Sequence, residues 1–249
     1  MKFAKTALGL SMALGVSLCA STQVFAQSSD FGDQQTSIMN LSDAGFQTVD
    51  YSSLSTEQKV ALEEAKLSQA RQAYPQYFAD AYAQYPSIPK GVLEAIAFVQ
   101  SRWVNLQPTA YTAPHQHMPQ AHGVMGLYHG QGFRDQVQEA ALLLGVDAEQ
   151  VLKDEQTNIL AAAALLDQLI QQQGKAPADA ESMVSVIADY AGFVTDRSSE
   201  IQSYARDNFT YDVLLSIDRG VDDNGIFVPE QAIEWERAFD QQRLVELKF

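Results

Sequence analysis

The chain has 249 residues and a formal net charge of −15, from 31 acidic and 16 basic residues. Such an acidic protein repels nucleic acid and anionic lipid, so we expect neither nucleic acid nor a membrane among its partners. Apolar residues make up 46% of the chain, which is ample for a folded core. The one cysteine, Cys19, excludes an intramolecular disulfide.

Residues 1–26 have the layout of a secretory signal peptide. They begin with a basic stretch, continue with an apolar run from Ala7 to Ala20, and end with a small-residue cleavage site at Ala26. We therefore expect an exported, periplasmic protein whose mature chain starts at Gln27. Loss of the two lysines in this segment changes the net charge from −15 to −17, and the mature chain keeps no thiol.

The mature chain is predicted to open with a flexible lead and a helical extension. The lead, residues 27–54, begins with a stretch rich in Ser, Gln and Asp that lacks periodic apolar residues. The extension, residues 55–87, opens with Ser-Thr-Glu-Gln, which is typical of a helix N-terminus, and Pro75 interrupts its helical pattern. The next predicted helix, Ile88–Trp103, has Pro89 in its first turn.

The remainder of the chain is predicted to be one loop followed by helices. Gln107–Gly132 is rich in Pro, His and Gly, which predicts the loop. Since no run alternates with period two for long, we expect a mainly α chain. The apolar first half of Thr157–Gln173 places that helix at the centre of the core. The predicted helices are Phe133–Gly145, Thr157–Gln173, Ala180–Phe193 and Glu200–Ile217, the last ending near Gly220.

Four segments, in order, resemble those of the lysozyme-like superfamily, which includes Slt-type lytic transglycosylases and goose-type lysozymes. The resemblance implies a lysozyme-like helical domain over residues 88–195, with a C-terminal helical extension over residues 196–249. The segments are AIAFVQSRW at Ala95–Trp103 against AIAxxESxF, HGVMGLYH at His122–His129 against GAMGLMQ, DEQTNILAAAALL at Asp154–Leu166 against DPxxNIxxGAxYL, and IADYAGF at Ile187–Phe193 against AAYNAG.

Within this superfamily, the chain most resembles the lysozyme-like domain that precedes some N-acetylmuramoyl-L-alanine amidase domains. In those domains a Gln also stands where the catalytic Glu is expected, and the segment Ser203–Ile217 resembles the connector toward the amidase domain. We expect no zinc-amidase domain in the residues that follow the connector. The resemblance therefore implies the peptidoglycan glycan strand and a cell-wall amidase as candidate partners.

Gln100 stands at the position of the family's general acid. In the family, that Glu protonates the glycosidic oxygen and then accepts the proton of the sugar C6 hydroxyl, which closes a 1,6-anhydro ring. A Gln amide cannot exchange a proton in this way, and loss of such a transfer removes a factor of ~10²–10⁴ in rate. Because the amide still donates and accepts hydrogen bonds, glycan binding can survive. We therefore expect a catalytically degenerate protein that binds glycan or assists a wall hydrolase.

The resemblance also assigns substrate contacts around Gln100. Two glycines and a methionine match residues that let the backbone approach the sugar, although an ordinary turn would have the same composition. Tyr190 matches the family's cleft tyrosine, with a half-buried core aromatic as the alternative. His129 replaces a family Gln. The implied substrate-binding residues are Ser101, Gly123, Met125, Gly126, His129 and Tyr190.

Two other functions stay open at this point. The first is an active lytic transglycosylase with a displaced acid, either Asp189 or Glu94. Glu94 lies six residues before Gln100, which is about 240° around a helix, so we expect it on another face and in solvent. Asp189 is next to Tyr190, so its carboxylate is a candidate to reach the glycan. The alternative is an ordinary charge on the surface of a helix. The second is a scaffold protein that binds partners through its acidic surface.

The four histidines are His115, His117, His122 and His129, all within 15 residues. Imidazoles can bind zinc, but the chain has no helical HExxH motif and no Cys ligand in the mature region. We therefore expect polar loop histidines, no metal and no cofactor.

Trp235 and Phe239 are four residues apart, the spacing of neighbours on a helix. An exposed aromatic pair of this kind usually docks against another surface. The sequence leaves open whether the segment Asp218–Phe249 folds on the domain or binds a partner.

Overall fold

The computed structural model describes residues 37–42, 45–107, 120–130, 133–174, 177–193, 199–223 and 225–248. The predicted signal peptide and the first residues of the lead lie outside the described residues, as do His115 and His117. The chain divides into two compact units, residues 1–62 and residues 63–249.

The first unit contains a β-hairpin where the sequence predicted a flexible lead. Strand β1, Ser37–Ser42, pairs with β2, Gly45–Asp50, in an antiparallel ladder. In its register, Ile38 pairs with Val49 and Leu41 pairs with Phe46. β-Branched and aromatic residues such as Ile38, Val49 and Phe46 favour strands. The two runs are short, so the search for long alternating patterns in the sequence did not identify them as strands.

Helix α1, Thr56–Arg71, begins as the sequence predicted. The Ser55 hydroxyl accepts the amide of Gln58 at 3.2 Å, and the Gln58 side chain accepts the amide of Ser55 at 2.8 Å. This reciprocal pair is a capping box, which satisfies two amides that the first turn cannot bond internally. The Ser-Thr-Glu-Gln pattern is therefore confirmed as a helix start.

The second unit is mainly α-helical, which confirms the predicted class. Within its described residues, short strands form two antiparallel hairpins, β3 (Gln120–His122) with β4 (Leu127–His129) and β5 (Val221–Asp223) with β6 (Ile226–Val228). The first of these hairpins lies inside the segment that was predicted to be loop. The helices are α2 (Tyr74–Gln84), α3 (Val92–Ser101), α4 (Gln136–Leu144), α5 (Ala148–Lys153), α6 (Glu155–Gln173), α7 (Val184–Tyr190), α8 (Glu200–Arg219), α9 (Trp235–Ala238) and α10 (Gln241–Lys248).

Helix α6 is central to the core, as its apolar composition predicted. It packs against α2, α4, α5 and α7. Its first turn is capped by Asp154, whose carboxylate accepts the amide of Thr157 at 2.7 Å. Alanines on several sides of the helix are buried, which lets neighbouring helices approach closely.

Helix α3 begins at Val92, four residues later than predicted. Gly91 precedes it with φ +91°, a left-handed conformation that interrupts the helical path. A Cβ on Gly91 would also lie 3.0 Å from the Pro229 ring. Pro89 therefore lies in the turn before the helix, where its carbonyl accepts the amide of Val92 at 3.3 Å.

Caps explain where the later helices begin and end. Asp135 accepts the amide of Gln138 at 3.0 Å, so α4 starts at Gln136 and not at Phe133. Gly145 and Gly220 close α4 and α8, as the sequence predicted. The predicted helix Ala180–Phe193 is shorter, because a 3-10 turn precedes α7. Helix α5 was not predicted.

The C-terminal segment folds back onto α8. The ring of Trp235 lies 4.8 Å from that of Tyr211, and the ring of Phe239 lies 6.4 Å from it, measured between ring centres. Leu244 and Leu247 of α10 are buried in the same core. The aromatic pair is therefore covered by its own chain and is not a docking surface. No described helix is long and apolar enough to cross a membrane.

A strained corner follows α3. Arg102 and Trp103 both have left-handed backbones, with φ of 54° and 56°. The guanidinium of Arg71 donates to the Arg102 carbonyl at 2.8 Å and to the Trp103 carbonyl at 3.4 Å. A cation at a helix C-terminus also interacts favourably with the helix dipole. Arg71 thus stabilises the end of the helix that carries Gln100.

Candidate functional site

Gln100 lies in the last turn of α3 and faces the β3–β4 hairpin. It is half-buried. A Cβ on Gly126 would lie 2.9 Å from the Gln100 Cβ, so the hairpin turn contacts this side chain closely. Gly126 also has φ +58°, which favours glycine. The absence of a side chain at position 126 is what lets the turn approach Gln100.

Tyr128 is the polar partner of Gln100. The Gln100 side chain interacts with the Tyr128 hydroxyl, and burial raises the pKa of that hydroxyl. The ring of Tyr128 lies against the backbone of Gly192, where a Cβ would come within 2.9 Å of it. Sequence comparison gave Tyr128 no role, because the family has Met at this position. In this chain it joins the hairpin to Gln100.

Gln136 links the hairpin to the end of α7. Its Oε1 accepts the amide of Tyr128 at 3.0 Å, and its Nε2 donates to the carbonyl of Tyr190 at 2.7 Å. The side chain is 1% exposed. Sequence reasoning missed Gln136, because a buried amide that bridges two backbone groups leaves no motif.

Tyr190 lies beneath this bridge and is 1% exposed. Burial raises its pKa far above the ordinary value, and the neighbouring Tyr128 adds to the effect. Among the described residues, the Tyr190 hydroxyl has no hydrogen-bond partner. A buried hydroxyl without a partner costs free energy, which a water molecule or a ligand group can recover.

Asn158 holds the hairpin turn from the side of α6. Its Oδ1 accepts the amide of Met125 at 2.9 Å, and its Nδ2 donates to the carbonyls of Val151 at 3.0 Å and His122 at 3.3 Å. A Cβ on Gly123 would lie only 2.1 Å from the Asn158 Nδ2. Gly123 therefore makes room for the amide that fixes the turn.

The predicted substrate-binding residues separate into buried and accessible ones. Met125 is fully buried, and Ser101 is 7% exposed with its hydroxyl bonded to the carbonyls of Val124 at 2.5 Å and Ala97 at 2.9 Å. Both side chains are therefore buried beneath the turn, and Tyr190 is buried as well. Gln100 and Tyr128, by contrast, are polar, half-buried and partly accessible to solvent beside the hairpin turn.

His129 lies on the opposite face of the hairpin from Tyr128, because successive strand residues point to opposite sides. Its Nδ1 lies 3.0 Å from the carboxylate of Asp135, and its ring centre lies 6.0 Å from that of His122. The structure therefore does not bring His129 together with Gln100.

Glu94 is half-buried, which corrects the expectation that it lies in solvent. It accepts a hydrogen bond from the Tyr82 hydroxyl at 2.5 Å. Burial raises the pKa of its carboxyl above the ordinary value. It lies on the α2 side of α3, away from the hairpin that faces Gln100, so the structure does not bring its carboxyl together with Gln100.

Replacement of Glu94 by Gln is expected to stabilise the protein at neutral pH. Because burial raises the pKa of Glu94, the folded state binds this proton more tightly than the unfolded chain. The free energy of unfolding therefore falls as pH rises from below 4.5, the ordinary value, through the raised folded pKa. A Gln removes this loss and still accepts from Tyr82. Urea unfolding from pH 4 to pH 8 should show a gain that grows with pH.

The control for this prediction is Glu63→Gln, which removes an exposed ion pair with Lys66. Such pairs contribute ~0–1 kcal/mol, so its stability should follow that of the wild type at each pH. A Glu94→Gln protein that is less stable than the wild type at pH 8 would contradict the assigned role of burial.

Asp189 is half-buried next to Tyr190 and has an interaction partner. It is not a free carboxylate at the site. Within the part of the chain that the structure describes, no group of three or more His, Cys, Asp or Glu residues could hold a metal ion.

The candidate site thus consists of the Gln100 amide at the end of α3 and the Tyr128 hydroxyl beside it. The buried side chains of Gln136 and Asn158 hold the β3–β4 hairpin in place. The candidate site can donate and accept hydrogen bonds, and its central Gln100 has no proton to transfer at ordinary pH. No known family model matches the chain, and neither the curated proteins nor the solved structures gave a match.

Proposed function

We propose that this protein is an exported, periplasmic, lysozyme-like protein that binds the glycan strand of peptidoglycan and does not cleave it. One observation carries the proposal. Residues from all four segments that resemble the lysozyme-like superfamily take part in one set of contacts around the hairpin turn. They are Gln100, Gly126 with Tyr128, Asn158 and Tyr190.

The contacts around Gln100 favour binding over catalysis. A general acid for glycoside cleavage needs a carboxyl that holds its proton near the working pH. Gln100 offers an amide, which recognises sugar hydroxyl and N-acetyl groups by hydrogen bonds alone. Glu94 is engaged with Tyr82 on the α2 side of the helix. Retention of these contacts around a Gln in place of the acid fits an accessory role beside a cell-wall hydrolase, such as an amidase.

The test is to incubate mature wild-type and Gln100→Glu protein with purified peptidoglycan sacculi. We expect both proteins to sediment with the sacculi. We expect soluble 1,6-anhydro-muropeptides from Gln100→Glu alone, at a rate at least ~10² above the wild type, since a carboxyl restores the proton transfer. Sedimentation and product analysis by mass spectrometry measure the two properties separately.

Gln138→Glu is the matched control, because it adds the same charge at an exposed position of α4. It should bind as the wild type does and release nothing. Products from the wild type would overturn the degenerate assignment and direct the search to Asp189. Sedimentation of neither protein would contradict glycan binding and favour a scaffold that acts through its acidic surface.

A further inference from the structure

The β3–β4 hairpin carries a pair of imidazoles on the face opposite Tyr128. His122 and His129 are diagonal neighbours across the two strands, since Gln120 pairs with His129 and His122 with Leu127. Their ring centres are 6.0 Å apart and their planes are inclined by 75°. Neither residue belongs to the contacts around Gln100. The hairpin therefore presents a second polar cluster with its own chemistry.

Asp135 orients one of these rings. Its carboxylate lies 3.0 Å from the Nδ1 of His129 and also caps α4 through the amide of Gln138. When Nδ1–H donates to this carboxylate, the lone pair of the ring is on Nε2. A carboxylate behind a histidine is the usual support of metal-binding imidazoles, because it fixes the tautomer and makes the ligand more basic.

The second ring lies on the same face of the hairpin as the first. His122 is half-buried, and its backbone carbonyl accepts from the Asn158 Nδ2 at 3.3 Å, so the strand that carries the ring is held in place.

The spacing of the rings fits a shared ion. A zinc–nitrogen bond of ~2.0–2.1 Å places each ring centre ~3.2 Å from the metal, so two imidazoles at a tetrahedral angle are ~5 Å apart between centres. The observed 6.0 Å exceeds this by about one ångström, which small rotations of the side chains can remove.

We propose that His122 and His129 form a binding site for a first-row divalent transition metal such as Zn²⁺. Asp135 supports His129 from behind, and water molecules complete the coordination. Two protein ligands leave the remaining coordination positions of the ion to water or to an external group, as the open position of catalytic zinc sites does. The bound ion would join β3 to β4.

The experiment is a calorimetric titration of the metal-free mature protein with ZnCl₂, together with its melting temperature with and without the ion. We expect one Zn²⁺ per chain, a higher melting temperature and loss of binding below about pH 6, where imidazoles take up protons. His122→Ala and His129→Ala should each weaken binding at least 10-fold. Asp135→Asn, which keeps the helix cap, should weaken it by ~10–100-fold.

The control is the double variant His115→Ala, His117→Ala, which removes the other two histidines. Its affinity should equal that of the wild type. The proposal fails if Zn²⁺ does not bind, if binding survives in both single His variants, or if it is lost in the control. Displacement by Mg²⁺ would also overturn it, because Mg²⁺ prefers oxygen ligands and would identify a site made of carboxylates.

Discussion

Gly123→Ala is expected to lower the free energy of unfolding by ~2–5 kcal/mol. Gly123 has φ +74°, and a side chain in this conformation costs ~1–2 kcal/mol. Its new Cβ would also lie 2.1–2.3 Å from the amide atoms of Asn158. That amide would have to move, which leaves the buried amide of Met125 without its acceptor at a further cost of ~1–3 kcal/mol. Urea unfolding at 25 °C measures the loss.

Gly145→Ala separates the two causes. Gly145 has φ +66°, close to that of Gly123, but a Cβ added there would meet no described atom within 4 Å beyond its chain neighbours. Only the conformational cost remains, so we expect a loss of ~1–2 kcal/mol. Equal losses in the two variants would mean that Asn158 adapts without cost and does not fix the turn.

Gln136→Leu is expected to lower the free energy of unfolding by ~2–6 kcal/mol, since it leaves two backbone groups without a partner. Leucine fills a similar volume but accepts nothing from the Tyr128 amide and donates nothing to the Tyr190 carbonyl. Each buried group left unsatisfied costs ~1–3 kcal/mol. Because the same bridge joins β4 to α7, binding to sacculi should weaken as well. Urea unfolding and sedimentation measure the two effects.

Gln138→Leu is the control for this substitution, because Gln138 is exposed on the same helix. A surface change of this kind is expected to stay within ~0.5 kcal/mol of the wild type. If Gln136→Leu matched it, the two bonds would contribute nothing to stability.

The sequence predicted the helices that carry strong local signals. The Ser55 capping box, the apolar α6 and the glycines after α4 and α8 each identified an element, since caps and burial patterns act over a few residues. The late start of α3 could not be predicted in this way. Pro89 favours a helix start as readily as a turn, and the left-handed Gly91 decided between them.

The resemblance named residues of the candidate site that are neighbours in the fold, while their binding of a substrate stays a prediction. Gln100 and Gly126, from two of the resembling segments, lie in contact. Ser101, Met125 and Tyr190 are buried. Tyr128 contacts Gln100 only because its side of the three-residue strand β4 faces α3. Gln136 has its role because it binds the Tyr128 amide of the same strand. Strands this short leave no periodic signal in the sequence, so only the folded chain distinguishes Tyr128 from His129.

The corner after α3 limits how far this protein can be shortened. A fragment of residues 88–195 would contain Gln100 but not Arg71, which lies 31 residues upstream of the Arg102 carbonyl that it binds. It would also lack α8, against which α3 packs. Two left-handed residues without their guanidinium partner would then follow the helix that carries the site. A fragment that keeps Gln100 in its observed surroundings therefore has to begin before Arg71 and continue beyond α8.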